Sequence, residues 1–405
     1  MIDPVARRAR VGVFSYFGLC GTTVGIWAAS LPALADRLDL SAGRTGTVLL
    51  VISLTALVSM QFAGRMSDRW SSRRLTLAAG PLHALLLLAP ALAGSFPALI
   101  VGAVIFGIGF GLLEVGMNAH AVEVEVRYDR PIMSAFHGMW SLGGAAGGLV
   151  TAAALRAGLG VETLLVGTAL IMTVLFLLPA RLLLPGGGAA PSSEPAAAPR
   201  RGRISGTIVL LGAVMLAGAI CEGGAMDWAA MHARRVLGAS ADLAPLSFTV
   251  FSVAMTTVRL LGDRLRGRLG VGRTLRLAGA LAAVGYAFVF VAPSAGAAAM
   301  GCAWAGWVLV GVGLATVVPV IFSTAGADPD TAGRTIALLT SFGYGGLLAG
   351  PAVIGHLAEA TSLRTALALP GVLAVFVALA GPPAARALTT RRTSAPEPAA
   401  LESTP

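Results

Sequence analysis

The chain has 405 residues, of which 56% are hydrophobic and 12% charged, with a mean hydropathy of +0.82, a formal net charge of +10 and a pI near 11.0. Soluble domains carry about 25% charged residues, so the composition excludes a soluble catalytic domain and reads as an integral membrane protein. All 29 basic residues are Arg, and no basic stripe is interleaved with aromatics as a nucleic-acid surface requires.

Twelve apolar stretches follow in chain order, near 11–35, 44–64, 75–94, 97–122, 132–155, 161–184, 206–235, 245–262, 275–293, 298–323, 335–357 and 363–385. Each is close to or above the roughly 20 residues that a spanning helix needs. The first is too long for the apolar core of a cleavable signal, about 7 to 15 residues, and is expected to remain as a span. With the N-terminus inside, all Arg except Arg37, Arg44, Arg156, Arg234, Arg235 and Arg364 fall on the inner side. This asymmetry follows the positive-inside rule and places both termini in the cytoplasm, with a bacterial inner membrane as the expected location. Cys20, Cys221 and Cys302 all lie in spans, without metal-ligand spacing, and read as small apolar residues.

Between the second and third spans stands GRMSDRWSSRR, Gly64 to Arg74, and between the eighth and ninth stands RLLGDRLRGR, Arg259 to Arg268. Their Asp-Arg pairs, Asp68-Arg69 and Asp263-Arg264, are 195 residues apart, which marks an internal repeat. An Asp at the inner end of a helix can pair with basic residues and helix ends of the opposite half, a charge latch that breaks when that side opens. Asp68, Arg69, Arg73, Asp263 and Arg264 are therefore the candidate cytoplasmic gate, with topology signals as the alternative reading of the Arg residues.

The fourth and fifth spans hold the most costly side chains. Glu114 lies inside an apolar, glycine-rich helix 17 residues after Pro97, about 25 Å along it. A charged residue at that depth costs roughly 3 kcal/mol on insertion scales and is tolerated where it faces a protein interior or a wet cavity. Burial away from water favours a neutral carboxyl, which can take up and release a proton. A protonated, hydrogen-bonded structural Glu is the alternative. Asn118 shares the Glu114 helix face four residues on, and Ser134, His137 and Ser141 share another at i, i+3, i+7. His120, Glu123 and Glu125 sit beside Arg127 and Arg130 at the inner end and read as gating pairs, Glu123 foremost, or as interfacial charges. The glycines at 107, 109 and 111 follow no strand and read as helix-contact positions, not a dinucleotide loop. His83 and His356 are isolated in apolar runs and read as satisfied by a neighbouring carbonyl.

Residues 186–203, rich in Pro, Gly, Ala and Ser, read as a flexible linker. The expected organisation is thus a six-helix bundle over 1–185, a cytoplasmic linker over 186–205, a second bundle over 206–385 and a disordered tail over 386–405. In the seventh span Glu222 lies about 24 Å from the inner end, with Asp227 and Trp228 further out. Glu222 and Asp227 point about 140° apart and are expected to serve different contacts. Asp227 reads as a cavity residue or a partner of Arg234 or Arg235. Trp27, Trp140 and Trp228 can stack on a ligand or pack. In the tenth span Thr316 stands opposite Glu114 when Gly109 and Gly111 are aligned with Gly311 and Gly313, so proton coupling is expected to belong to the first half.

The loop from Gly64 to Arg74 resembles the major facilitator superfamily signature G-x-x-x-D-R/K-x-G-x-R/K-R/K, with Ser71 at the second Gly, and the resemblance covers nearly the whole chain. Trp27 to Pro32, GLLEVGMNAHAVEVE, PIMSAFHGMWSLGG, EGGAMDWAA and GDRLRGRLG together resemble its rhizopine-transporter-like branch. Leu113-Glu114 with Asn118, then Phe136-His137, is similar to the Leu-Glu-x-x-x-Asn and Phe-Asn pattern of fucose:proton symporters. The resemblance implies an all-α membrane protein of twelve transmembrane helices in two pseudo-symmetric six-helix bundles. It also implies proton carriage by Glu114, while His137 departs from the amide that contacts sugar in that family.

These features point to a secondary transporter working by alternating access, with no enzymatic activity, no metal and no cofactor. The expected activity is proton symport of a small polar solute, a sugar, cyclitol or amino-sugar. The candidate contacts are Asn118, His137, Ser134, Trp140, Trp27, Glu222, Asp227 and Trp228. Proton-driven efflux of amphipathic compounds and a non-transporting, partner-binding membrane protein are the alternatives. The expected partners are the solute, protons and the lipid bilayer, with the chain a monomer.

Overall fold

The structure, a computed structural model, describes residues 3–130, 132–185, 205–325 and 332–393, without the side chains of residues 68, 261–268, 332–334, 337 and 388–393. Backbone polar groups in hydrocarbon must be satisfied within their own segment, and the described chain is correspondingly helical, without strands. In order the membrane helices are α1 Pro4–Arg37, α2 Ala42–Trp70, α3 Ser72–Ala91, α4 Phe96–Tyr128, α5 Met133–Arg156 and α6 Val161–Leu182. The second half has α7 Gly206–Arg235, α8 Ala244–Leu269, α9 Val271–Ser294, α10 Gly296–Ala325, α11 Ala332–Ala360 and α12 Leu363–Ala387. Among the described residues eleven helices are long and apolar enough to cross a membrane; in α8 the apolar part is the shorter Ala244–Leu260. Several run past the apolar stretches, because polar ends continue the helix beyond the hydrocarbon length that composition reveals.

Helix ends follow from local chemistry. Ser41, Ser95 and Ser205 cap α2, α4 and α7 by accepting from the backbone N–H three residues on. The start of α5 has no cap of its own. Glu125 supplies one, accepting from Ile132 and Met133 N–H at 2.6 and 2.7 Å. Asp3 caps α1 through Val5 and meets Arg127 of α4 at 2.6 Å; the Val5 N–H and then the guanidinium hold its carboxyl below the usual range.

One packing scheme occurs twice. In the first half α1 lies on α5, α2 on α4 and α3 on α6; in the second α7 lies on α11, α8 on α10 and α9 on α12. The halves meet along α2 with α11, α5 with α8, and α1 with α7. Glycine makes the closest crossings: a Cβ on Gly147 would stand 2.6 Å from the Thr22 carbonyl oxygen of α1. Gly107 and Gly111 likewise turn their bare face to α2, and Gly109 turns to α3.

Both described ends of the chain, the end of α6, where Leu182 meets Gly12 of α1, and the start of α7 lie at one end of the bundle, the near end. At the far end Asp36 pairs with Arg234 at 2.8 Å and Arg235 at 3.0 Å, joining α1 to α7. The Gly43 N–H donates to Glu359 at 3.0 Å, joining α2 to α11. At the near end the expected latch residues Asp68, Asp263 and Arg264 have side chains outside the described set. Ser71, between α2 and α3, has φ +89°, and Gly270, between α8 and α9, has φ +71°. A residue at such a φ favours Gly, which explains the Gly of the signature at the position Ser71 occupies.

Candidate functional site

A cavity of about 320 Å³ lies between the halves. Two walls come from α1, α2, α4 and α5, and the rest from α7, α8 and α11. Its surface is mostly apolar and aromatic, with Trp27, Phe106, Met60, Met117 and Met226 among the lining side chains. Into this surface project Glu114, His137 and Trp140 from the first half and Glu222, Asp227, Arg259 and Tyr344 from the second.

Glu114 reaches the cavity from well inside α4. One turn on, the Asn118 amide donates to the Glu114 carbonyl at 2.8 Å and to its Oε1 at 3.1 Å. Asn118 is not in the cavity wall; it orients the carboxyl that is. His137 stands edge-on to Phe17, ring centroids 5.3 Å apart, and opens to the cavity.

The opposite wall holds a feature that sequence reasoning missed. Arg259 donates to Glu222 at 2.9 Å and to the Ser141 hydroxyl at 3.0 Å. Because Ser141 is on α5 and Glu222 on α7, one guanidinium ties the halves together beside the cavity. In the sequence Arg259 groups with the inner-end Arg of a loop motif. Yet it lies 15 residues into α8, about 23 Å by helix rise, which is the arithmetic that locates Glu222.

Asp227 lines the same cavity without sharing a contact with Glu222. Arg234 and Arg235, the partners open to it in the sequence, turn instead to Asp36. Four expectations need correction, the first being Asn118, which supports Glu114 instead of lining the cavity. Trp228 is fully buried, against Gly355 of α11, because it points about 100° away from Asp227 on the helix. Ser134 is exposed and not in the cavity wall, lying about a turn nearer the end than His137. Among the described residues His83 has no carbonyl partner; both ring nitrogens are unbonded and the ring stacks on Phe106, centroids 4.9 Å apart.

Of the remaining gate candidates, Arg69 is exposed and Arg73 half-buried. Glu123 turns to His120 of its own helix at 3.6 Å, inside the first half. His120 also bonds Ser72 at 2.9 Å and accepts from the Leu184 N–H at 3.1 Å, so it braces α3, α4 and the chain after α6. Among the described residues no group of His, Cys, Asp and Glu is arranged to hold a metal ion.

The sequence profile of the Major Facilitator Superfamily matches residues 13–346. The chain is 34% identical over 375 residues to an uncharacterized transporter, y4wD, of Sinorhizobium fredii, covering 92% of this chain and 97% of that protein. It is 29% identical over 383 residues to the membrane protein MosC of Rhizobium meliloti, covering 93% and 90%. Among solved structures, a mutant form of the nucleoside transporter NupG superposes with a TM-score of 0.74 at 13% identity, over 95% of this chain and 99% of that one. A D-xylose-proton symporter superposes with a TM-score of 0.71 at 16% identity, over 93% and 98%.

Proposed function

The chain belongs to the Major Facilitator Superfamily of membrane transporters, and from that premise we propose that it is a proton-coupled symporter of a small polar solute. The observation that carries this reading is Glu114, a carboxyl inside a membrane helix that opens onto the cavity between the halves. Such a group is kept where it serves a pathway. The reading places the near end in the cytoplasm of a bacterial inner membrane, with residues 1–185 and 206–385 as two bundles of a monomeric chain that rock about the cavity. Solute binds between His137, Trp140 and Trp27 on one side and Glu222 and Asp227 on the other, while Glu114 loads a proton and releases it inward. Asn118 holds Glu114 for that exchange. Asp68, Arg69, Arg73, Asp263, Arg264 and Glu123 form the inner gate in this reading. The likeness to a structure of a proton-coupled sugar symporter supports it at the level of fold.

A thermal-shift screen against sugars, cyclitols and cationic drugs identifies a ligand, since binding to the folded state raises apparent stability. Uptake of that ligand into vesicles with an imposed pH gradient then tests coupling. Accumulation is expected in the direction of proton entry and lost in Glu114→Gln with folding preserved; accumulation by Glu114→Gln vesicles rejects the assignment. A second reading, proton-driven efflux of amphipathic compounds, is favoured by the apolar wall with Met60, Met117 and Met226, since methionine surfaces adapt to varied ligands. It requires solute and proton to move in opposite directions in the same assay.

A further inference from the structure

The ionisable groups of the cavity do not balance. Arg259 and Glu222 neutralise each other at 2.9 Å, which leaves two carboxyls, Glu114 on α4 and Asp227 on α7. Glu114 has the Asn118 amide beside it. Among the described residues no donor or cation is bonded to Asp227: Arg234 and Arg235 are held by Asp36, and Arg259 by Glu222 and Ser141. The groups that face it across the cavity are Glu114 of α4, His137 of α5, Glu222 of its own helix, Arg259 of α8 and Tyr344 of α11. From α1 the wall presents Trp27, and from α2 apolar side chains with Ser53. Asp227 is half-buried in this mostly apolar wall, where an ionised carboxylate without a partner is costly.

We propose that Asp227 is a second proton-carrying carboxyl, so that each half of the transporter loads one proton before the cavity changes sides. The proposal rests on the reading of Glu114 as the first such group and extends it to the half in which Thr316 replaces a Glu. In the loading step an O–H bond forms on Asp227 from a solvent hydronium ion, leaving water. In the release step that bond breaks to water on the other side, and nothing is oxidised or reduced. With both carboxyls and His137 neutral and Arg259 paired with Glu222, these cavity side chains carry no net charge through the rearrangement, which removes the cost of moving an ion through low dielectric. By helix rise Asp227 lies about 12 Å from the far end of α7 and Glu114 about 27 Å from the far end of α4, so the two protons load at different depths.

The test is infrared spectroscopy of the full chain in lipid, following the C=O stretch of protonated carboxyls as the pH is raised. Wild type is expected to show two such signals that vanish on titration. Asp227→Asn loses one and Glu114→Gln loses the other. If Asp227→Asn keeps both signals, or wild type lacks the Asp227 signal because the carboxylate is ionised and holds a cation, the proposal is overturned. If Glu114→Gln keeps both signals while Asp227→Asn loses one, the assignment of Glu114 fails and that of Asp227 stands. Asp227→Glu, which retains a carboxyl, is expected to keep a displaced second signal, and thermal unfolding of each variant separates loss of the group from loss of the fold.

Discussion

Helices α4 and α10 occupy corresponding places in the two halves and handle the cavity differently. α4 runs unbroken from Phe96 to Tyr128 and carries Glu114 with its Asn118 support. α10 turns at Ala315 and Thr316, where Pro319 has no N–H to offer the Ala315 carbonyl. The second half instead brings its charges on α7 and α8, as Glu222, Asp227 and Arg259. A repeated helix plan therefore fixes where side chains can reach the cavity, and each half has filled different positions with ionisable groups.

The largest test of that contrast exchanges the two positions. Glu114→Gln is expected to reduce gradient-driven accumulation to the level of empty vesicles while ligand-induced thermal shifts persist. Glu114→Gln combined with Thr316→Glu is expected to remain inactive, because Thr316 sits at the turn of α10 and is not in the cavity wall. Recovered uptake in the double variant would show the halves to be interchangeable.

Next in size is the bridge of the second half. Arg259→Ala leaves the Glu222 carboxylate without its partner and severs the bond to Ser141, an expected loss of about 3–5 kcal/mol. Denaturant unfolding in detergent measures it. Replacing both partners, Arg259→Met with Glu222→Leu, is expected to restore most of that stability. By contrast Asn118→Ala in the first half removes the two hydrogen bonds donated to Glu114, to its carbonyl and to Oε1, and costs about 1–2 kcal/mol.

Packing is equally close in the paired contacts of the two halves, Gly147 of α5 against α1 and Gly346 of α11 against α7 at 2.6 Å each for an added Cβ, and looser at other glycines. A Cβ on Gly147 in α5 would lie 2.6 Å from the Thr22 carbonyl oxygen and 2.7 Å from the Ile26 nitrogen, whereas one on Gly223 in α7 meets nothing closer than 3.6 Å. Gly147→Ala is expected to cost about 1–3 kcal/mol by forcing α1 and α5 apart. Gly223→Ala is expected to change the unfolding midpoint little.

The spans, the internal repeat and the membrane class are legible because hydrocarbon imposes length and apolarity on the sequence itself. Glu114, His137, Trp140, Trp27, Glu222 and Asp227 are legible as well, since a polar or large amphipathic side chain in such a helix stands out, and all six line the cavity. Periodicity gives the angle between residues but not which angle faces the cavity. It therefore assigns Trp228, Ser134 and Asn118 to a wall they do not join. Arg259 is hidden by its company: a loop rich in Arg explains it as a topology signal, and only the start of α8 at Ala244 reveals its depth. Tyr344 gives no signal, since a lone Tyr in a glycine-rich helix is as readily a packing residue.

The smallest contrast lies in the two near-end turns. Ser71 adopts φ +89°, ψ +148°, and Gly270 adopts φ +71°, ψ +162°, a region essentially reserved for Gly that costs other residues about 1–3 kcal/mol. Gly270 therefore holds its turn without strain, while Ser71 holds the same shape at a cost that its 3.4 Å bond from the Arg74 N–H offsets only in part. Ser71→Gly is expected to stabilise the protein by about 1 kcal/mol, read as a raised midpoint in thermal unfolding. Gly270→Ser is expected to lower the same midpoint. If Ser71→Gly is neutral or destabilising, the side-chain cap outweighs the backbone strain, and the first-half turn is held by its serine in spite of the conformation that the second half leaves to glycine.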